Sequence, residues 1–178
     1  VPCFYERVLV EWIAREQGGG LVASYDPDDK IVDTATADER GKLVLDNGHI
    51  LVDTAYWYCL IKVDDVWKQC VIPFKSTALK TSRKWNSTIA TTYIPGTQKQ
   101  GPRWLHQYKF QSIKEQKDNF VWSSPVITQD VIVTKAVYDA AKSYALIAAK
   151  GILRRKVLVS EAQNQTSVKQ TIDDEVPF

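Results

Sequence analysis

The sequence predicts a mainly β domain: a five-stranded barrel left partly open, with one helix between its strands and a second helix after the last. Three observations predict it. Runs rich in β-branched and aromatic residues recur between turn signals. Helical periodicity is confined to residues 76–91 and 134–150. The chain of 178 residues is long enough to bury a core without disulfide staples. Apolar residues make up 44% and charged residues 25%, proportions that exclude wholesale disorder, collagen and coiled coil. No apolar run approaches the roughly 20 residues that span a bilayer, and no signal-peptide pattern opens the chain. Met is absent, so Val1 is expected not to be the natural start.

Phe4 to Ile13 reads as the first strand, broken by Gly18-Gly19-Gly20, and Leu21 to Tyr25 returns as a second. Residues 26–40 are polar and acidic, with Asp26-Pro27-Asp28-Asp29 as a turn, and read as a surface loop. Lys42 to Leu45, Asp46-Asn47-Gly48 and His49 to Val52 form a hairpin signal, with Asn-Gly suited to the two positive φ angles of a type I′ turn. Tyr56 to Val63 alternates cleanly. Trp57, Cys59, Ile61 and Val63 are predicted core; Tyr56, Tyr58, Leu60 and Lys62 point the other way. Asp64-Asp65 turns the chain into a strand over Trp67 to Phe74.

Residues 76–91 change period. Ser76 or Thr77 is a candidate N-cap. Leu79, Ser82, Trp85, Asn86 and Ile89 fall near one face, and Lys80, Arg83 and Lys84 on another. A Pro- and Gly-bounded loop, 94–102, leads to a long strand from Arg103 to Ile113. Phe120 to Trp122 begins another that Pro125 bends or ends. Thr134 to Lys150 is an Ala-rich helix with a stripe of Val137, Ala140, Ala141, Tyr144, Ile147 and Ala148, capped by Thr134 and closed by Gly151. From Ser160 the chain reads as a flexible polar tail. The domain plan is therefore 1–159 followed by a tail, 160–178. A helix after the third major strand, followed by two more strands, is the order of an OB-type barrel, which binds oligonucleotides across one face.

Charge is segregated. Residues 1–67 carry six basic and thirteen acidic side chains, whereas residues 68–117 carry ten basic against Glu115 alone. Such a basic stretch points to a polyanionic partner. Twelve of the 19 aromatic residues lie between 56 and 122, interleaved with those cations. A groove that tracks phosphates while rings stack on bases needs this mixture. The candidate stacking residues are Tyr56, Tyr58, Trp85 and Trp104. The candidate phosphate contacts are Lys75, Lys80, Arg83, Lys84, Arg103 and Lys109. Trp104, Tyr108 and Phe110 share a strand face and serve equally as core, leaving Arg103, Gln107 and Lys109 for the groove.

Three Cys (Cys3, Cys59 and Cys70) make no secreted disulfide framework, and a reducing compartment is expected. With two His and no Cys-x₂-Cys, no metal site or cofactor is expected. Glu115-Gln116-Lys117 is nuclease-like in spacing but lacks a partnering carboxylate, and no nucleophile elbow, Walker loop or dinucleotide fingerprint occurs. The chain is read as a non-enzyme.

The last residues, Ile172-Asp173-Asp174-Glu175-Val176-Pro177-Phe178, resemble the acidic tip of bacterial single-stranded DNA-binding proteins. In such a tip a ring fills an apolar pocket, and carboxylates meet basic residues of a partner. The stretch Pro73-Phe74-Lys75-Ser76-Thr77-Ala78-Leu79-Lys80-Thr81-Ser82-Arg83-Lys84-Trp85 is similar to a segment of some bacteriophage single-stranded DNA-binding proteins, where a strand enters a basic helix. The resemblance implies a protein that coats single-stranded DNA in replication and recombination. It would recruit replication and recombination proteins through Asp173, Asp174, Glu175, Val176, Pro177 and Phe178. It would act in the cytoplasm (the host's, if viral), off the membrane, as a possible homo-oligomer. The rival readings are a phage virion structural protein with a basic DNA-facing or subunit-facing surface, and a small metal-dependent nuclease.

Overall fold

The structure, a computed structural model, describes residues 1–39 and 41–151. The tail 160–178 and its tip residues Asp173, Asp174, Glu175, Val176, Pro177 and Phe178 lie outside the described residues. The described chain is mainly β with two α-helices. Its strands are β1 (Pro2–Ile13), β2 (Gly20–Tyr25), β3 (Thr36–Ala37), β4 (Leu43–Val44), β5 (Ile50–Val63), β6 (Val66–Lys75), β7 (His106–Lys117) and β8 (Phe120–Ile132). Helix α1 spans Leu79–Ala90 and α2 Lys135–Ala149.

The main sheet has the order β2-β1-β5-β4-β3, with β6 also paired to β5. It differs from the expected five-stranded barrel. It has six strands, and among the described residues no pairing closes it. The last two strands do not join it; β7 and β8 pair with each other as a separate antiparallel ribbon.

The residues form two compact units. One comprises Val1–Glu6 and Ala55–Ala149. Here β5 is buried on both faces from Ala55 to Leu60. Helix α1 covers one face, stacking Trp85 on Trp57 with ring centroids 4.0 Å apart. The Trp57 indole N–H donates to Ser82 Oγ at 2.8 Å, so the buried polar atom is satisfied. Ala55, Cys59, Phe74 and Ile89 complete this cluster. Helix α2 covers the opposite face. Tyr144 meets Tyr58 edge-on at 6.4 Å and its hydroxyl donates to the Cys70 carbonyl at 3.4 Å. The predicted two-sided alternation of this strand is therefore corrected. Tyr56, Tyr58 and Leu60 are as buried as Trp57 and Cys59, while Ile61 and Val63 emerge at 37% and 36% exposure. The buried stripe of α2 is Ala141, Tyr144, Ala145 and Ala148, with Ala140 and Ile147 outside it. Thr134 Oγ1 accepts from the Val137 N–H at 3.5 Å.

The second unit is built on Arg7–Thr54. Arg7 forks onto Asp53 at 2.8 and 2.6 Å, and Glu11 binds His49, so β1 and β5 run antiparallel. Val8, Val10, Trp12 and Leu51 are buried. The β4–β5 turn is not type I′. Leu45 N–H bonds the His49 carbonyl around three residues, and only Gly48 has a positive φ, +81°. The two positive φ angles of a tight two-residue turn occur instead at Asp64 and Asp65 (49° and 62°), between β5 and β6.

Candidate nucleic-acid interface

Helix α1 is entered through a 3₁₀ turn, Ser76–Ala78, and no side chain caps it. The proposed Ser76 or Thr77 cap is therefore absent, and Ser76 takes a positive φ of 50° as β6 ends. Ser82, Trp85 and Ile89 face the core. Helical spacing then turns Lys80, Arg83 and Lys84 to solvent on one stripe, where all three are exposed. None of the three has an ion-pair partner among the described residues, so the stripe is electrostatically uncompensated. Lys75, at the end of β6, is half-buried.

Beside α1 stands the β7–β8 ribbon. Tyr108 and Phe110 meet the edge of Trp85 at 5.5 and 5.1 Å. Thr81 Oγ1 donates to the Pro125 carbonyl at 3.4 Å, and Thr92 donates to Gln129 at 3.4 Å. These contacts hold the base of the ribbon only. Every described side chain from Lys109 to Ser123 is exposed, so the outer part is an arm with two open faces. Pro125 does not end β8. It sits opposite Ser112 in register, tolerated because each strand of a two-stranded ribbon is an edge that does not need its N–H.

Register sorts the arm. Phe110 shares a face with Ile127, then Ser112 and Pro125, then Lys114 and Ser123. The other face carries Lys109, Ile113, Trp122 and Phe120. Phe120 is 75% and Trp122 42% exposed. The Trp122 N–H donates to Glu115 Oε2 at 2.8 Å and to Ser124 Oγ at 3.1 Å, and Ser124 donates to the same carboxylate. Glu115 thus clips an exposed indole in place. An exposed ring held in one orientation is the chemistry of base stacking, which nucleic-acid grooves combine with phosphate attraction by cations.

Several sequence-derived site residues lie elsewhere. Tyr56 and Tyr58 are 0% exposed and Trp85 3%, so these rings build the core and present no face to a ligand. Trp104 is half-buried and packs edge-on against Tyr138 of α2 at 6.1 Å. Arg103, expected as a phosphate contact, packs inward. Its guanidinium lies 5.2 Å from the Trp57 ring and 5.5 Å from that of Tyr5, and donates to Asn86 Oδ1 at 2.7 Å. Desolvation lowers its pKa, as expected for an inward cation. Lys109 is exposed and pairs with Asp130 at 3.3 Å. His106 is buried, and burial lowers its pKa.

A sequence profile of Pam3 phage gp34-like proteins matches residues 1–153. The chain belongs to the Pam3 phage gp34-like protein family. It is therefore a bacteriophage protein by family. No curated protein and no solved structure matches it.

The structure thus sets the exposed Lys80, Arg83 and Lys84 on the helix that holds the base of the arm, and it exposes two arm rings that the sequence did not single out, Phe120 and Trp122. The signal for them was present. Asp118-Asn119 is a two-residue turn, and counting outward from it aligns Phe120 and Trp122 on one arm face, where both are exposed. Among the described residues no three His, Cys, Asp or Glu side chains gather as a metal site, and no helix is long and apolar enough to cross a membrane.

Proposed function

We propose that the chain is a phage single-stranded DNA-binding protein that coats exposed strands and acts without catalysis. One observation carries the reading: the helix with the unpaired Lys80, Arg83 and Lys84 stripe holds the base of an arm that exposes the Phe120 ring and a Trp122 ring fixed by Glu115. Phosphate attraction supplies sequence-independent affinity, and stacking adds roughly 1–3 kcal/mol per base. Single strands offer base faces that duplex hides. An OB-type reading of the fold rests on the element order alone, because β7 and β8 pair with each other and not with the main sheet. The acidic tip Asp173–Phe178, by its likeness to bacterial tips, supports recruitment of replication and recombination proteins.

The test is a tryptophan-fluorescence titration with single-stranded and duplex oligonucleotides at two salt concentrations. Single strands should quench more and bind tighter, with a log–log salt slope near −0.7 per phosphate neutralised. Equal or stronger duplex binding overturns the reading. A second reading, a virion structural protein, draws on the exposed apolar residues of the arm, Phe120, Val121 and Trp122, which a neighbouring subunit could cover. It predicts oligomers that persist at high salt and no preference for single strands.

A further inference from the structure

The Asp64-Asp65 turn joins β5 to β6 with two residues, both at positive φ. Counting outward from it, Val63 opposes Val66 and Cys59 opposes Cys70. The core packing matches this register: Cys59 belongs to the cluster of Ala55, Trp57 and Phe74, and Cys70 and Ile72 pack against that same cluster. The two cysteines therefore stand side by side on one sheet face. Cα atoms of directly opposed antiparallel residues lie about 4.5–5.5 Å apart, inside the range of about 4.4–6.8 Å that a disulfide spans. Both thiols are free, and they are in hydrogen-bond contact with each other. The pair is asymmetric. Cys59 is buried, whereas Cys70 is half-buried, on a strand that among the described residues pairs with β5 alone. The hydrogen bond from the Cys59 thiol holds the Cys70 thiol below its ordinary pKa, and burial pushes Cys59 up. A half-buried sulfur with thiolate character beside a second thiol is the usual arrangement of an oxidisable dithiol. Cys3 is the internal contrast. It is buried on β1, its S–H donates to the Val1 carbonyl at 3.5 Å, and burial lifts its pKa to about 12.

We propose that Cys59 and Cys70 form a reversible cross-strand disulfide when the chain meets a hydroperoxide, with Cys70 as the attacking sulfur. Such a bridge is independent of the single-strand reading. The Cys70 sulfur attacks one peroxide oxygen and the O–O bond breaks, giving a Cys70 sulfenic acid and, with the thiol proton, one water. The Cys59 sulfur, already in contact, then attacks the sulfenic sulfur. The S–O bond breaks, the S–S bond forms, and the Cys59 proton leaves with the hydroxyl as a second water. Two thiols lose two electrons, and hydrogen peroxide gains them. The bridge ties β5 to the strand that leads into α1. In a reducing compartment, small thiols return it to the dithiol, the behaviour of a transient, redox-sensing disulfide.

The experiment treats the folded full chain with stoichiometric hydrogen peroxide, blocks the remaining thiols with N-ethylmaleimide and maps the peptides by mass. Two of the three thiols should be lost to alkylation, with Cys59 linked to Cys70 and Cys3 alkylated, and dithiothreitol should restore all three. No link between Cys59 and Cys70, a link to Cys3 or a link between two chains overturns the proposal. Cys3→Ser should form the bridge as wild type does. In Cys59→Ser the Cys70 sulfenic acid has no resolving thiol, so dimedone should label Cys70. In Cys70→Ser dimedone should label neither remaining cysteine, and labelling of Cys59 to the same extent overturns the role of Cys70 as attacking sulfur. The wild-type map needs no variant, so a variant that fails to fold leaves the test standing.

Discussion

Glu11 is a buried carboxylate, 4% exposed, that keeps its charge. Burial alone pushes its pKa up. Hydrogen bonds from Tyr25 and His49, the His49 charge and a bond from Asn47 together outweigh that and hold it below its ordinary value. The same contact, first among its causes, raises Tyr25 to about 12. A carboxyl depressed on folding contributes stability above its unfolded pKa and loses it as pH falls through the folded value. Glu11→Gln should therefore lower stability by about 2 kcal/mol at pH 7, the scale of hydrogen bonds to a charged group. The gap from wild type should close as pH falls below the ordinary carboxylate range. Thermal melts from pH 7 to pH 3 check this, and a constant gap would refute the charge argument. A second residue-scale prediction concerns Arg83 and Lys84. Both are exposed on the α1 face that builds no core, so Arg83→Glu with Lys84→Glu should leave the melting temperature within a few degrees of wild type. Reversing two charges should cut single-strand affinity by about tenfold or more at low salt. Unchanged affinity in an anisotropy titration would move the interface to another surface.

Among the elements, the β7–β8 arm is the least self-sufficient. A two-stranded ribbon is marginal alone, and this one packs only its base, with Tyr108 and Ile127 against the core and an edge of the exposed Phe110 against Trp85. Phe120→Ser with Trp122→Ser removes two exposed rings and no core. It should leave global stability nearly unchanged while weakening single-strand binding by about 1–3 kcal/mol per ring in use. Unfolding curves and anisotropy titrations check both halves. If sedimentation shows that the variant dissociates an oligomer while DNA affinity holds, the arm is a subunit contact. How legible these elements are in the sequence follows from how local their causes are. The 3.6-residue period of α1 and α2 is local, and both helices stand where the periodicity predicts. The alternation of Tyr56 to Val63 is also local, but burial of both its faces depends on α2, some eighty residues away. Asn47-Gly48 forms a looser turn than its dipeptide implies, because Asp46 adds a residue to the loop and Asn47 Oδ1 accepts from the His49 N–H at 2.9 Å. Arg103 turns inward because Asn86, Trp57 and Tyr5 converge on it from three separate segments, a convergence no window of sequence displays.

At the scale of the whole chain, charge is the organising quantity. The acidic first third, the basic stretch 68–117 and the acidic tip nearly cancel to a net charge of +2, yet a cation stripe on α1 is left without acidic partners among the described residues. If the chain binds single strands as proposed, the carboxylates of Asp173, Asp174 and Glu175 are expected to compete with phosphate for that stripe. Deleting residues 173–178 should therefore raise single-strand affinity about threefold at low salt, and the gain should vanish at high salt, where the Debye length falls to a few ångströms. Removing only Pro177 and Phe178 keeps the carboxylates, so the affinity gain should be absent while partner capture is lost, because an aromatic anchor carries most of such a peptide's binding. The two truncations thus separate competition from recruitment. Anisotropy titrations at two salt concentrations measure the first. A pull-down from phage-infected host lysate, scored for polymerase, helicase and recombination proteins, measures the second. Equal low-salt affinity in all three chains would remove the competition, and recovery of the same replication proteins by all three would show that the tip docks nothing.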